Sequence, residues 1–255
     1  MKILLLGSTG LLGSDCKELL REDYEVIAPE KNELDIVSWD VVIENLQKIS
    51  PEIILNCAGF NDVDACEKDA FRVRKVNLEG PRNLAQGSAR FNCKLIHISS
   101  DYVFSGKKSI PQPYFEDDPG DPLSAYGRSK MESEVAVREN SPNYIIVRAG
   151  WLYGINGENF ITSVLKKVLT QKGRKKTLSV VDDQFGSPTW TYRLALQIKE
   201  LIKRDTKGTF HATSEGYTTP LEYAKHIFKK LKVKVSLEPS SLSDYERPAK
   251  RPKNC

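Results

Sequence analysis

Tyr126 and Lys130 stand four residues apart in Tyr126-Gly127-Arg128-Ser129-Lys130, a spacing that stacks both on one face of a helix. A tyrosine titrates near pH ~10 and exchanges protons poorly at neutral pH. A neighbouring ammonium favours the phenolate and is expected to lower that value. The pair can then give a proton to a carbonyl oxygen as hydride reaches its carbon, with Lys130 tuning the phenol and holding a cofactor ribose. Ser100, in Ser99-Ser100-Asp101-Tyr102, ends an apolar segment and can hydrogen-bond the same oxygen. An amphipathic helix with a packed tyrosine and an exposed lysine would carry the same letters. The pattern gains weight from its place: of the ten tyrosines only Tyr126 has a lysine four residues on, and it follows the Ser100 segment.

A second group sits at the N-terminus, Gly7-Ser8-Thr9-Gly10-Leu11-Leu12-Gly13, between an apolar strand and a helix. Glycines there let the backbone turn sharply and approach a pyrophosphate, which the helix N-terminus attracts. The spacing GxxGxxG, rather than GxGxxG, is typical of the short-chain dehydrogenase/reductase superfamily. After the second strand an acid would suit a free ribose 2′-hydroxyl and a base a 2′-phosphate. Glu30 stands beside Lys31, so NADPH and NADH both remain open. Asp35, in Leu34-Asp35-Ile36, can meet an adenine edge or cap the next helix. Asn56-Cys57-Ala58-Gly59 closes a central strand with small residues, where open α/β sheets bind ligands, although a tight turn would read the same.

These residues need a scaffold, and the first 150 residues alternate strand and helix signals. Strands are expected at 2–6, 24–28, 53–55, 94–99 and 144–148, and helices at 11–21, 39–48 and 70–90. Continuous apolar strands alternating with helices indicate a parallel sheet covered on both faces. The fold class is therefore α/β, a Rossmann-type doubly wound parallel sheet over 1–150 with a returning segment around 180–205. A smaller C-terminal substrate-binding lobe is expected over 151–255, with helices at 160–169, 192–203 and 220–231.

A formal net charge of +4 lacks the concentrated basic footprint of nucleic-acid binding. Basic clusters at Lys166-Lys167, Arg174-Lys175-Lys176, Lys229-Lys230 and Arg247 to Lys253 read as solvated faces or as attraction for an anionic small molecule. No run approaches the roughly 18 apolar residues of a membrane span, and the N-terminus reads as a strand rather than a signal peptide. A cytoplasmic place is expected. The five cysteines, Cys16, Cys57, Cys66, Cys93 and Cys255, have no CxxC spacing, so neither disulfides nor a zinc site follow. His97 lies in an apolar strand and reads as structural.

An ordered set spans nearly the whole chain: GSTGLLG, LDIVS, NCAG followed by Val63-Asp64-Ala65-Cys66-Glu67, Val76-Asn77, SSDYVF at 99–104, YGRSK, RAGWLYG at 148–154, DQFGSPT at 183–189 and Arg251-Pro252. It resembles the dTDP-4-dehydrorhamnose reductase family. That resemblance implies hydride transfer from NADPH or NADH to C4 of a keto-deoxysugar on a nucleoside diphosphate. It implies that Gly10, Leu11 and Leu12 meet the cofactor phosphates, Glu30 the ribose, and Asp35 and Ile36 the adenine. Cys57, Ala58 and Gly59 would line the cofactor, Tyr126 and Lys130 would complete its site, Ser100, Asp101 and Trp151 would meet the sugar nucleotide, and 185–189 would shape that cleft. Three features depart from the family. Ser100 replaces its usual threonine, only Asp15 matches the acids of its magnesium-bridged dimers, so no metal is expected, and the family continues past Arg251-Pro252. A homodimer is compatible with the resemblance. Two rivals share the motifs: an epimerase or dehydratase that recycles a tightly held NAD, and a regulatory subunit like the beta subunit of methionine adenosyltransferase.

Overall fold

The computed structural model describes residues 1–170, 177–204 and 206–255; the basic cluster Arg174-Lys175-Lys176 lies outside them. In the first half β1 (Lys2–Leu6), α1 (Leu11–Leu20), β2 (Glu25–Ile27), α2 (Trp39–Ile49), β3 (Ile53–Asn56), α3 (Val63–Lys68) and α4 (Ala70–Val73) lead into a π-helical turn at Arg74–Glu79. Then come α5 (Gly80–Arg90), β4 (Lys94–Ser100), a 3₁₀ turn at Asp101–Val103, α6 (Ala125–Asn140) and β5 (Tyr144–Ala149). The second half has β6 (Leu152–Tyr153), α7 (Phe160–Thr170), β7 (Thr177–Val181), β8 (Thr189–Trp190), α8 (Thr191–Lys203), β9 (Gly208–His211), α9 (Pro220–Lys230) and β10 (Ser236–Ser240).

Six strands pair in parallel in the order β2-β1-β3-β4-β5-β9. Alternation along β1 divides the core. Ile3 and Leu5 pack with Leu12, Cys16, Leu194 and Ile198 of α1 and α8, while Leu4 and Leu6 pack with Val42, Leu46, Leu84 and Val137 of α2, α5 and α6. Both faces are therefore dry, which is why the strands read as unbroken apolar runs. The chain leaves β1 for one neighbour, β2, and later fills the other side with β3. The crevice at this switch point is where such sheets take ligands.

The single helix expected over 70–90 is interrupted. The wide turn at Arg74–Glu79 inserts between α4 and α5, and Pro81 opens α5 without a backbone N–H to give. Gly80 must be small because a Cβ would come within 2.6 Å of Ile36 Cδ1. The smaller lobe has its own core, in which Val164, Val168, Leu221, Ala224 and Phe228 of α7 and α9 cover the parallel β7–β10 pair. The chain returns to the large sheet from Thr191 to His211, through α8 on α1 and β9 on β5, whereas residues 180–181 pair with β10 in the small lobe.

Candidate active site

A cleft of about 920 Å³ opens over the switch point, lined by Gly7 and Gly10 on one side, Glu30, Asp35 and Ile36 on a second, and Cys57, Ala58 and Gly59 on a third. Gly7 has φ +75°, and a Cβ there would lie 2.6 Å from the Ala58 amide nitrogen, so the residue must be glycine. A Cβ on Gly13 would collide with the Gly7 carbonyl oxygen, so this glycine lets α1 sit against the loop. Gly10 is the N-cap of α1 and supplies no side-chain cap, which leaves the first-turn amides of Leu11 and Leu12 for an anion. The Leu12 side chain is buried in the core, so only its backbone is available.

At the far wall Glu30 and Lys31 are both exposed and both line the cleft. Asp35 does not cap α2. Its Oδ1 accepts from the Val37 amide at 3.1 Å, while Ser38 is the N-cap. The Ile36 side chain is buried in the core and against Gly80. A dinucleotide fits the glycine-bare floor, the uncapped helix end and the length of the wall.

Helix α6 brings Lys130 against Gly59 of this cleft and carries Tyr126 one turn before it. Ser124 caps it by accepting from the Gly127 amide at 3.1 Å, and Glu67 Oε1 accepts from the Ala125 amide at 2.7 Å. Lys130 is only 4% exposed; its Nζ donates to the Ile98 carbonyl at 3.1 Å and lies against Gly59. Burial pushes its pKa down to about 8. Nζ is 5.9 Å from the Tyr126 ring centre. The expected lowering of the phenol by Lys130 is not found. Burial raises the Tyr126 pKa well above 10, reinforced by the Asp101 carboxyl and opposed by a hydrogen bond with Ser100; the Lys130 ammonium is turned to the Ile98 carbonyl. Tyr126 is therefore a neutral phenol, the form that can give a proton. Tyr102 packs edge-on against its ring at 5.7 Å.

Ser100 donates to Asp101 Oδ1 at 2.9 Å and accepts from the Tyr102 amide at 3.2 Å. Burial raises the Asp101 pKa, and the carboxylate occupies the space a Cβ on Gly150 would need. Trp151 follows with φ +49°, a left-handed conformation unusual for a bulky residue. Its carbonyl accepts from the Thr189 amide at 3.1 Å, and its indole fills the place of a Cβ on Gly186, which ties it to the 183–189 loop. Phe185, in that loop, packs edge-on with Tyr217.

Several positioning residues carry no local signal in the sequence. Asn77, presented by the π-helical turn, accepts from the Phe60 amide at 2.7 Å and donates to the Phe60 carbonyl at 2.9 Å and Ser129 Oγ at 3.0 Å, clamping the cleft loop to α6. Only its place in the ordered motif set points to it. Asp64 accepts from Arg251 through both oxygens at 2.7 Å and from the Ala249 amide at 3.1 Å, fastening the C-terminal segment to α3. The Arg251 guanidinium beside it holds the Asp64 carboxyl below the usual range. Fully buried Glu134 accepts from Ser99 at 2.6 Å and from Arg148 at 2.8 and 2.7 Å. Burial raises its pKa, but the Arg148 pairing outweighs it and keeps the carboxylate charged. Asp15 accepts a short hydrogen bond from Thr191, joining α1 to α8, and no cluster of metal-ligating side chains occurs among the described residues.

The whole chain, residues 1–255, matches the family model described as the RmlD substrate binding domain. The protein belongs to this family. A crystal structure of a dTDP-4-dehydrorhamnose reductase from Clostridium acetobutylicum superposes with a TM-score of 0.95 at 36% identity, covering 100% of this chain and 89% of that one. The dTDP-4-dehydrorhamnose reductase of Bacillus anthracis, solved in complex with NADP, gives 0.94 at 36% identity over 99% of this chain and 88% of that one. The spore coat polysaccharide biosynthesis protein SpsK of Bacillus subtilis is 35% identical over 98% of this chain and 87% of its own. Family membership agrees with the expected fold, a parallel sheet flanked by helices.

Proposed function

We propose that this protein reduces the C4 ketone of a dTDP-linked 4-keto-6-deoxysugar with NADPH, its substrate being dTDP-4-dehydro-L-rhamnose. One observation carries the reading. A neutral Tyr126 phenol joined to Ser100 lies near a buried Lys130 that reaches Gly59 on the cleft wall. When bound, the reduced nicotinamide supplies hydride. The chain's residues do the rest. Glycines at 7, 10 and 13 and the amides of Leu11 and Leu12 seat the diphosphate. Glu30 and Lys31 face the adenosine ribose, with the Asp35–Ile36 backbone at the adenine. Cys57 to Gly59 and Lys130 hold the nicotinamide half. Tyr126 gives a proton to the C4 oxygen as negative charge develops, and Ser100 turns its hydroxyl from Asp101 to the same oxygen. Asp101 and Trp151, the latter locked by Thr189 and Gly186, bound the sugar. A homodimer and a cytoplasmic location belong to the same reading; sedimentation velocity and cell fractionation test them.

The deciding experiment follows absorbance of NADPH, and separately NADH, with enzymatically made dTDP-4-dehydro-L-rhamnose. Oxidation is expected with the wild type, and Tyr126→Phe should lower kcat by about 10²–10⁴ with little change in cofactor affinity. Cofactor binding without oxidation would overturn the substrate and direct attention to other keto-sugars or to a regulatory role. Stoichiometric NAD retained through purification would favour an epimerase.

A further inference from the structure

Beneath the cleft floor, a chain of buried polar side chains runs from the cofactor-lining turn to the backbone of Lys130. Asn56 Oδ1 accepts from the Ala58 amide at 3.0 Å, which fixes which end of the carboxamide faces the turn. Its Nδ2 therefore meets His97 Nδ1, 3.1 Å away. An NH₂ group can only donate, so Nδ1 accepts and the imidazole proton sits on Nε2. Nε2 is 2.9 Å from Ser133 Oγ, and that hydroxyl gives its single proton to the Lys130 carbonyl at 2.7 Å. Every donor and acceptor runs in one direction. His97 is 1% exposed, and burial together with the Lys130 charge keeps it neutral.

A histidine here is costly if all it does is fill space, because each of its nitrogens must find a partner. What the arrangement achieves is local to Lys130. The next residue of β4, Ile98, takes the Lys130 ammonium at 3.1 Å, while His97 reaches the same residue's carbonyl through Ser133. One strand thus grips the lysine at both ends, and the same imidazole holds the Cys57–Gly59 turn through Asn56.

We propose that His97 is a positioning residue for Lys130 and for the Cys57–Gly59 turn, acting through Ser133 and Asn56 on the seat of the nicotinamide half of the cofactor. The inference rests on the NADPH reading above. Two measurements test it. In ¹⁵N spectra of the whole unliganded protein, His97 should appear as the Nε2–H tautomer and stay neutral through mildly acidic pH; an Nδ1–H tautomer or a titrating cation would overturn the relay whatever the protein binds. In fluorescence titrations of NADPH, done well below the melting temperature, Ser133→Ala should weaken binding about three- to tenfold. His97→Phe should weaken it further where it folds, with His97→Gln, which keeps a donor and an acceptor, closer to wild type. Folded Ser133→Ala and His97→Gln proteins that bind with wild-type affinity and differ only in melting temperature would overturn it. Wild type that fails to bind NADPH would instead sink the functional reading, and the spectra would still decide the relay.

Discussion

In the reading proposed above, the cofactor half and the substrate half of the site are built by different means. The cofactor cleft is shaped by what is missing: side chains at Gly7, Gly13 and Gly59, and a cap at Gly10. The substrate side is shaped by long-range pairs, Asp64 with Arg251, Asp183 with Leu242 and Lys253, and Trp151 with the 183–189 loop. The first can be rigid before any ligand arrives, because it belongs to the core of the sheet. The second joins segments up to 187 positions apart and holds a short C-terminal stretch, residues 249–255, against α3 and the 183–189 loop. A site divided in the proposed way would bind its common cofactor on a fixed wall and its particular sugar on an assembled one.

The largest effect should come from the buried ion pair that holds α6 to the sheet beneath both. Glu134 on α6 pairs with Arg148 just before Trp151, and Glu134→Ala would strand a buried guanidinium. A loss of about 3–5 kcal/mol of stability is expected, read by denaturant unfolding; a loss below about 1 kcal/mol would show that the pair does not hold α6 on the sheet. Next, Gly13→Ala forces a methyl into the Gly7 carbonyl. About 1–3 kcal/mol of overpacking should surface as weaker NADPH binding by calorimetry, with the sugar-side pairs untouched. Asp64→Asn should do the reverse, raising KM for the sugar nucleotide several-fold while cofactor Kd holds. A change in cofactor Kd alone would erase the contrast.

Two pH effects are smaller. Asp64 has a folded pKa below its ordinary value, so its pairing stabilises the fold above about pH 4 and is lost as pH falls through the lower folded value. Lys130 runs the other way. Its folded pKa of about 8 lies below the unfolded one, so the unfolded chain binds more protons between these values and stability should rise with pH across that window. Loss of the ammonium above pH 8 should weaken NADPH binding modestly, checked by titrations at pH 7 and 9.

The same division governs what could be read from the sequence. The glycine loop, the Tyr126–Lys130 spacing and the apolar strands are local, and their chemistry is set by neighbours a few residues away. The break in the 70–90 helix was hidden because its purpose, bringing Asn77 to Phe60, lies 17 residues back. The state of Tyr126 was misjudged for a related reason. Spacing places the lysine nearby, but only the fold shows how far the phenol is buried and that the ammonium turns to Ile98. Asp64 and Arg251 were legible as motif letters and not as a pair.

Trp151 offers an optical consequence. Its indole lies against Gly186 of the 183–189 loop, while the chain's other tryptophans, Trp39 and Trp190, are exposed at 36% and 37%. Emission selected for the bluest component therefore reports on the 183–189 loop, and, in the proposed reading, a sugar nucleotide settling there would announce itself as a change in colour before any chemistry occurs.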